Sequence, residues 1–136
     1  MKTFYKTKAT AKGGRSGHSE LDDGSFGVDL ALPGTNKSGV NPEQLFALGY
    51  AACFDNAIPF AAKKLGISAP ESTTSIEVGI GENDSGGYGL DIDIYVTLTG
   101  VDQQQADELV EATHQVCPYS NATRGNVDVR LYTSVS

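Results

Sequence analysis

A chain of 136 residues is long enough for one domain, residues 1–136, with a sizeable core, and too short for two. Seventeen acidic residues against ten Lys and Arg leave a net charge of −7, which argues against a protein that gains affinity for nucleic acid by neutralising phosphates. Lys63 and Lys64 are an isolated pair, and the lysines of MKTFYKTKATAK alternate as on the solvent face of a strand.

That amino-terminal stretch has no apolar segment behind its lysines, so no secretory signal is expected. The most apolar run, LFALGYAACF, is about half of the roughly 20 residues a spanning helix needs. A soluble, cytoplasmic protein without a membrane partner is the expectation. Short strands are predicted in TFYKTKATA, GHSEL and FGVDLAL, separated by Gly and Asp clusters.

The first helix opens at NPEQ, where Asn41 can cap, Pro42 suits the first helical position and Gln44 stands where a capping-box partner belongs. It is apolar on nearly every side from Leu45 to Phe54. A helix buried all round is hard for one small domain to arrange, which predicts an obligate oligomer, a dimer, packed around this helix. Pro59 should kink or end its straight part before AAKKLG finishes it.

Downstream, Ile76, Val78 and Ile80 alternate with their neighbours, as do Leu90, Ile92, Ile94, Val96 and Leu98, and ENDSGG supplies the turn of a hairpin with one buried face. A second, amphipathic helix opens at Asp102 with Gln105 in the capping-box position and buries Ala106, Leu109, Val110, Thr113, Val116 and Cys117 before Pro118 stops it. NVDVRLYTSV then closes the sheet. Three strands, helix, hairpin, helix, strand is an α+β order.

The chain has two cysteines, which in a reducing compartment are either inert core thiols or redox-active. Cys117 at a helix C-terminus meets the negative end of the dipole and is the poorer first nucleophile. Cys53, mid-helix in apolar surroundings, needs a cation to become a thiolate. Arg15 in the glycine-rich KGGRSGH is the candidate, the alternative being a solvated loop arginine. Glu43 precedes Cys53 by ten residues on one helix, about 15 Å at the usual rise. An arginine oriented by Glu43 would therefore act on the site of a partner subunit; otherwise Glu43 is a first-turn acid favoured by the helix dipole.

Together KGGRSGH, NPEQLFALGYAACF and HQVCPYSNATRGN resemble the organic hydroperoxide resistance branch of the OsmC superfamily over essentially the whole chain. The resemblance implies an intertwined homodimer, with antiparallel-rich sheets wrapped around two central helices and two interfacial sites. It implies a thiol-dependent peroxidase with Cys53 as peroxidatic cysteine and Cys117 as resolving cysteine. Arg15 and Glu43 would activate the thiolate and steady an organic hydroperoxide. The resemblance further implies no bound cofactor and an external dithiol, dihydrolipoamide on a lipoylated protein, that would reduce the Cys53–Cys117 disulfide. Leu48, the two glycines of GTNKSGV and Pro59 depart from the family pattern. Phe46, Tyr50, Phe54, Phe60 and Tyr119 are candidates to line an apolar funnel for alkyl or lipid hydroperoxides, with plain core packing the alternative for each.

Three rivals differ in class. His114, three residues before Cys117, could make a Cys-His hydrolase. Cys53, Cys117, His18 and His114 could hold zinc, although they are too dispersed for a motif. A small apolar-ligand binding module would use both cysteines as core residues. KGGRSGHSE lacks the ending and the following helix of a phosphate loop. Tyr5, Asp55, Asn56, Asn121 and Arg124 either brace the site or satisfy buried polar groups and turns.

Overall fold

The computed structural model describes all residues, Met1–Ser136. The chain divides into two compact units, Met1–Leu45 and Phe46–Ser136. In the first unit β1 (Ala9–Lys12), β2 (His18–Leu21) and β3 (Gly27–Asp29) form an antiparallel sheet in the order β1-β2-β3. The first strand is shorter than the sequence predicts, because β2 offers partners only from Ala9 to Lys12 and an extended segment without a ladder is no strand. The third is also shorter: beyond Asp29 the pairing falls to a single bridge between Leu30 and Val40. Only Leu30 and Ala31 of this unit are buried, while Phe4, Tyr5, Phe26 and Leu32 are exposed.

α1 (Pro42–Leu65) begins at the end of the first unit and runs through the start of the second. Its expected capping box is present: Asn41 Oδ1 accepts from the Gln44 N–H at 2.8 Å, and Gln44 Oε1 from the Asn41 N–H at 2.9 Å. Helical structure continues through Pro59, which therefore does not end it. At 24 residues α1 is longer than the apolar run suggests, and by length and apolarity it could cross a membrane. Tyr50, Phe54, Ala57, Ile58, Ala61 and Ala62 nevertheless lie in a protein core.

The second unit adds β4 (Glu71–Glu82), β5 (Tyr88–Thr99), α2 (Gln103–Val116), α3 (Pro118–Thr123) and β6 (Asp128–Val135). The hairpin pairs Glu71 with Thr99 through to Glu82 with Tyr88, and Asn83 Oδ1 accepts the Ser85 and Gly87 N–H groups in its turn. β6 joins β5 in parallel, Asp91 opposite Asp128 and Leu98 opposite Val135. Parallel pairing requires a long crossover, and α2 with α3 supplies it. Period-2 alternation turns Ile92, Ile94, Val96 and Leu98 wholly inward, where they share one core with the α1 residues above and with Ala106, Leu109 and Val110 of α2. Asp102 caps α2 with a reciprocal Gln105 contact, as predicted. The buried stripe also takes in His114. Asp55 on α1 accepts hydrogen bonds from Ser72 and Thr74 of β4, each at 2.8 Å, and so pins helix to sheet.

Candidate active site

Two groups of predicted residues come together, one in each unit. In the first unit the chain turns sharply between β1 and β2. Gly13 and Gly14 take positive φ, and a Cβ at Gly17 would lie 1.9 Å from the Lys12 carbonyl oxygen. Only glycines fit this turn. It presents Arg15, whose two terminal nitrogens donate to Glu43 Oε2 and Oε1 at 2.8 and 2.5 Å. Lys37 fastens the same turn through the Ser16 carbonyl. The bidentate pairing holds the Glu43 carboxyl below its ordinary range and raises the Arg15 guanidinium. Glu43 is thus more than a helix-terminus acid: it fixes the plane and direction of a guanidinium that stays charged.

In the second unit Cys53 and Cys117, 64 residues apart in sequence, bring their sulfurs to 3.7 Å. Both thiols are free; Cys117 is fully buried and Cys53 half-buried. Burial pushes the Cys53 thiol up, the backbone N–H of Tyr119 pulls it back, and the adjacent Cys117 raises it further. Cys117 ends α2, as expected, with its N–H bonded to the Thr113 carbonyl at 2.9 Å. It also opens α3, with Pro118 at the first helical position. Two helix ends therefore meet at this sulfur, where the sequence predicts one. The clue was present, since Pro118 can start a helix as well as stop one.

The aromatic candidates separate into two kinds. Phe46 and Tyr119, with Ala122, line a cleft of about 280 Å³. The Tyr119 ring rests on Gly49, where an added Cβ would come within 3.2 Å of its hydroxyl, and packs 6.1 Å from Phe46 and 5.7 Å from Tyr50. Tyr50 and Phe54 stand in the core. Both have no exposed surface even on a single chain, because the core claims the side of α1 on which they stand. Phe60 is 59% exposed.

His114 does not pair with Cys117. Its Nδ1 lies 2.8 Å from Ser120 Oγ, and burial, reinforced by the Arg124 charge, lowers its pKa. The His114–Cys117 contact on which the hydrolase reading rests is not made. His18 bonds Asp29 at 2.8 Å, and no three His, Cys, Asp or Glu side chains gather as a metal site. Of the polar residues left open, Asp55 ties α1 to β4, and Arg124 donates to Asn121 and to the His114 carbonyl. No sequence signal singles out Ser120, Ala122 and Thr123, because they stand on α3, whose start at Pro118 reads equally as the stop of α2; Gly49 stands on α1.

Residues 34–132 match the family described as OsmC-like protein. The chain is 44% identical over 132 residues to organic hydroperoxide resistance protein OhrB of Bacillus subtilis, covering 94% of this chain and 96% of that one. It is 43% identical over 135 residues to the organic hydroperoxide resistance protein of Xanthomonas axonopodis pv. citri, covering 96% and 94%. The crystal structure of an organic hydroperoxide resistance protein from Elizabethkingia anophelis superposes with a TM-score of 0.91 at 45% identity, over 100% of both chains. The B. subtilis OhrB structure gives 0.88 at 42%, over 96% and 98%. The fold, two small sheets with three α-helices, is the one these proteins share, and the chain belongs to the OsmC-like family, among its organic hydroperoxide resistance proteins.

Proposed function

We propose that this protein is a cysteine-based peroxidase that reduces organic hydroperoxides to alcohols. The observation that carries the reading is the 3.7 Å approach of two free thiols from distant parts of the chain. The similarity to organic hydroperoxide resistance proteins supports the substrate class. In the first step the Cys53 thiolate attacks one peroxide oxygen, the O–O bond breaks, and the departing alkoxide takes a proton to leave as alcohol, with Cys53 left as a sulfenic acid. Cys117 then attacks that sulfur. An S–S bond forms, the S–O bond breaks, and hydroxide leaves with the thiol proton as water. An external dithiol, dihydrolipoamide on a lipoylated protein, returns the pair to thiols by exchange.

A buried thiol raised by its surroundings needs a cation, and the preorganised Arg15–Glu43 pair is suited to supply one. Glu43 and Cys53 stand ten residues apart on α1, so in this reading the pair serves Cys53 of the partner subunit in an intertwined homodimer. Two features favour such a dimer: α1 leaves Leu48 and Phe60 open, and the first unit buries only Leu30 and Ala31. Residues 1–136 would then work as a single domain only within the pair of chains. The Phe46–Tyr119 cleft is apolar, which favours alkyl or lipid hydroperoxides over hydrogen peroxide. Cytoplasmic residence, where dithiols are sustained, completes the reading.

Intact-mass spectrometry after one equivalent of cumene hydroperoxide tests it. Wild type should lose two hydrogens, and Cys117→Ser should carry sulfenic or higher acids on Cys53. A wild type that keeps both thiols sinks the proposal and restores the binding-module reading.

A further inference from the structure

The turn that carries Cys117 is bracketed by side chains from both sides. His114, three residues before it, and Ser120, three residues after it, meet at 2.8 Å between Nδ1 and Oγ. Ser120 Oγ also lies 2.8 Å from the hydroxyl of Tyr50, which stands three residues before Cys53 on α1. Thr123 Oγ1 approaches the same Tyr50 hydroxyl at 3.3 Å and donates to the Ser120 carbonyl. Arg124 donates to the His114 carbonyl. Tyr50 and Ser120 have no exposed surface, and Thr123 and His114 are buried.

The hydrogens can be counted. Tyr50 and Ser120 each bring one hydroxyl proton, and neutral His114 carries its one ring proton on Nδ1 or on Nε2. Ser120 Oγ is the hub, accepting from one neighbour and donating to the other. Either direction leaves every member partnered, consistent with the absence of any unsatisfied buried side-chain polar atom. A network of this kind costs desolvation that a phenylalanine and an alanine would avoid. What it adds is registry. An apolar contact tolerates sliding, whereas a hydrogen bond fixes its two heavy atoms to within a few tenths of an ångström. The Tyr50–Ser120 bond joins the two pieces of chain, α1 and the α2–α3 corner, whose relative height sets the gap between the sulfurs.

We infer that Tyr50, Ser120 and His114 are positioning residues, a buried clamp that holds the Cys117 sulfur against Cys53 so that disulfide formation outruns overoxidation. The inference rests on the peroxidase reading above. The competition is between two reactions of the Cys53 sulfenic acid. Attack by Cys117 forms the disulfide and releases water. Attack by the sulfenate on a second hydroperoxide forms the sulfinic acid and releases a second alcohol. Only the first depends on where Cys117 sits.

The test compares Tyr50→Phe, Ser120→Ala and the double variant with wild type. Each is treated with increasing excess of cumene hydroperoxide, and intact mass gives the ratio of disulfide to sulfinic acid. The excess that overoxidises half the protein should fall about three- to tenfold in each single variant, the reach of one hydrogen bond. It should fall no further in the double variant than in the more sensitive single one, since both changes break the same bond. Wild-type partition in the single variants overturns the clamp. So do effects that simply multiply, the mark of general loosening. Should Ser120→Ala fail to fold, having stranded His114, Tyr50→Phe keeps the His114–Ser120 bond and decides alone. A wild type that forms no disulfide at one equivalent overturns the peroxidase reading itself and takes the clamp with it, a result distinct from a wild-type-like variant.

Discussion

Replacing Leu48 by glutamate tests the dimer directly. Leu48 is 66% exposed on a single chain and Phe60 is 59% exposed. Complete burial of such a side chain is worth about 1.5–3 kcal/mol. Covering the remaining surface is therefore worth about 1–2 kcal/mol per position, and about 2–4 kcal/mol when both copies of a symmetric pair are counted. Leu48→Glu forfeits that gain and sets two carboxylates into an apolar interface, so the dissociation constant should rise by at least about a hundredfold. Phe60→Glu should act in the same direction. Because neither side chain belongs to the chain's own core, the variants should keep their secondary structure by circular dichroism. Sedimentation velocity over a dilution series reads the outcome. Wild type should sediment at twice the 14.3 kDa chain mass, and the variants should fall to one chain at concentrations where wild type does not. A wild type that sediments as single chains, or variants that dissociate no more readily, would refute the reasoning.

Three further outcomes are expected. If Arg15 serves Cys53 as proposed, Arg15→Ala should move the midpoint of the first-step rate against pH upward, because the Cys53 thiol is already raised by burial; an unmoved midpoint in stopped-flow peroxide kinetics removes Arg15 from the step. His114 binds its proton less readily when folded than when unfolded, so the unfolded state holds more protons below about pH 6.5. Stability should therefore fall as pH drops through that value, before the depressed carboxyls of Glu43 and Asp93 begin to protonate; urea midpoints at neutral pH and about one unit below 6.5 check it, and His114→Gln should flatten the slope. Asp55→Ala strips the acceptor from Ser72 and Thr74 and should cost about 2–4 kcal/mol, or roughly 8–15 °C in Tm by calorimetry, with Asp55→Asn milder because it keeps an acceptor.

Local rules alone determined much of this protein. Capping boxes at Asn41–Gln44 and Asp102–Gln105 set where two helices start, since each satisfies donors that any helix must leave open. Strict alternation in β5 marked Ile92, Ile94, Val96 and Leu98 as the inward face, because a strand has no other periodicity. The glycine turn around Arg15 was legible for the same reason, as side chains do not fit it.

Tertiary structure decided the rest. No spacing rule joins residues 64 apart, and the sulfurs of Cys53 and Cys117 meet only because α1 and the α2–α3 corner pack on one sheet. The resemblance to a family anticipated that meeting; periodicity did not. A helix apolar on all sides has no preferred face in its sequence, so only packing could turn Tyr50 and Phe54 inward and leave Leu48 and Phe60 open. The extent of β1, the parallel seating of β6 and the Tyr50–Ser120–His114 network depend likewise on partners distant along the chain, which the residues themselves do not name.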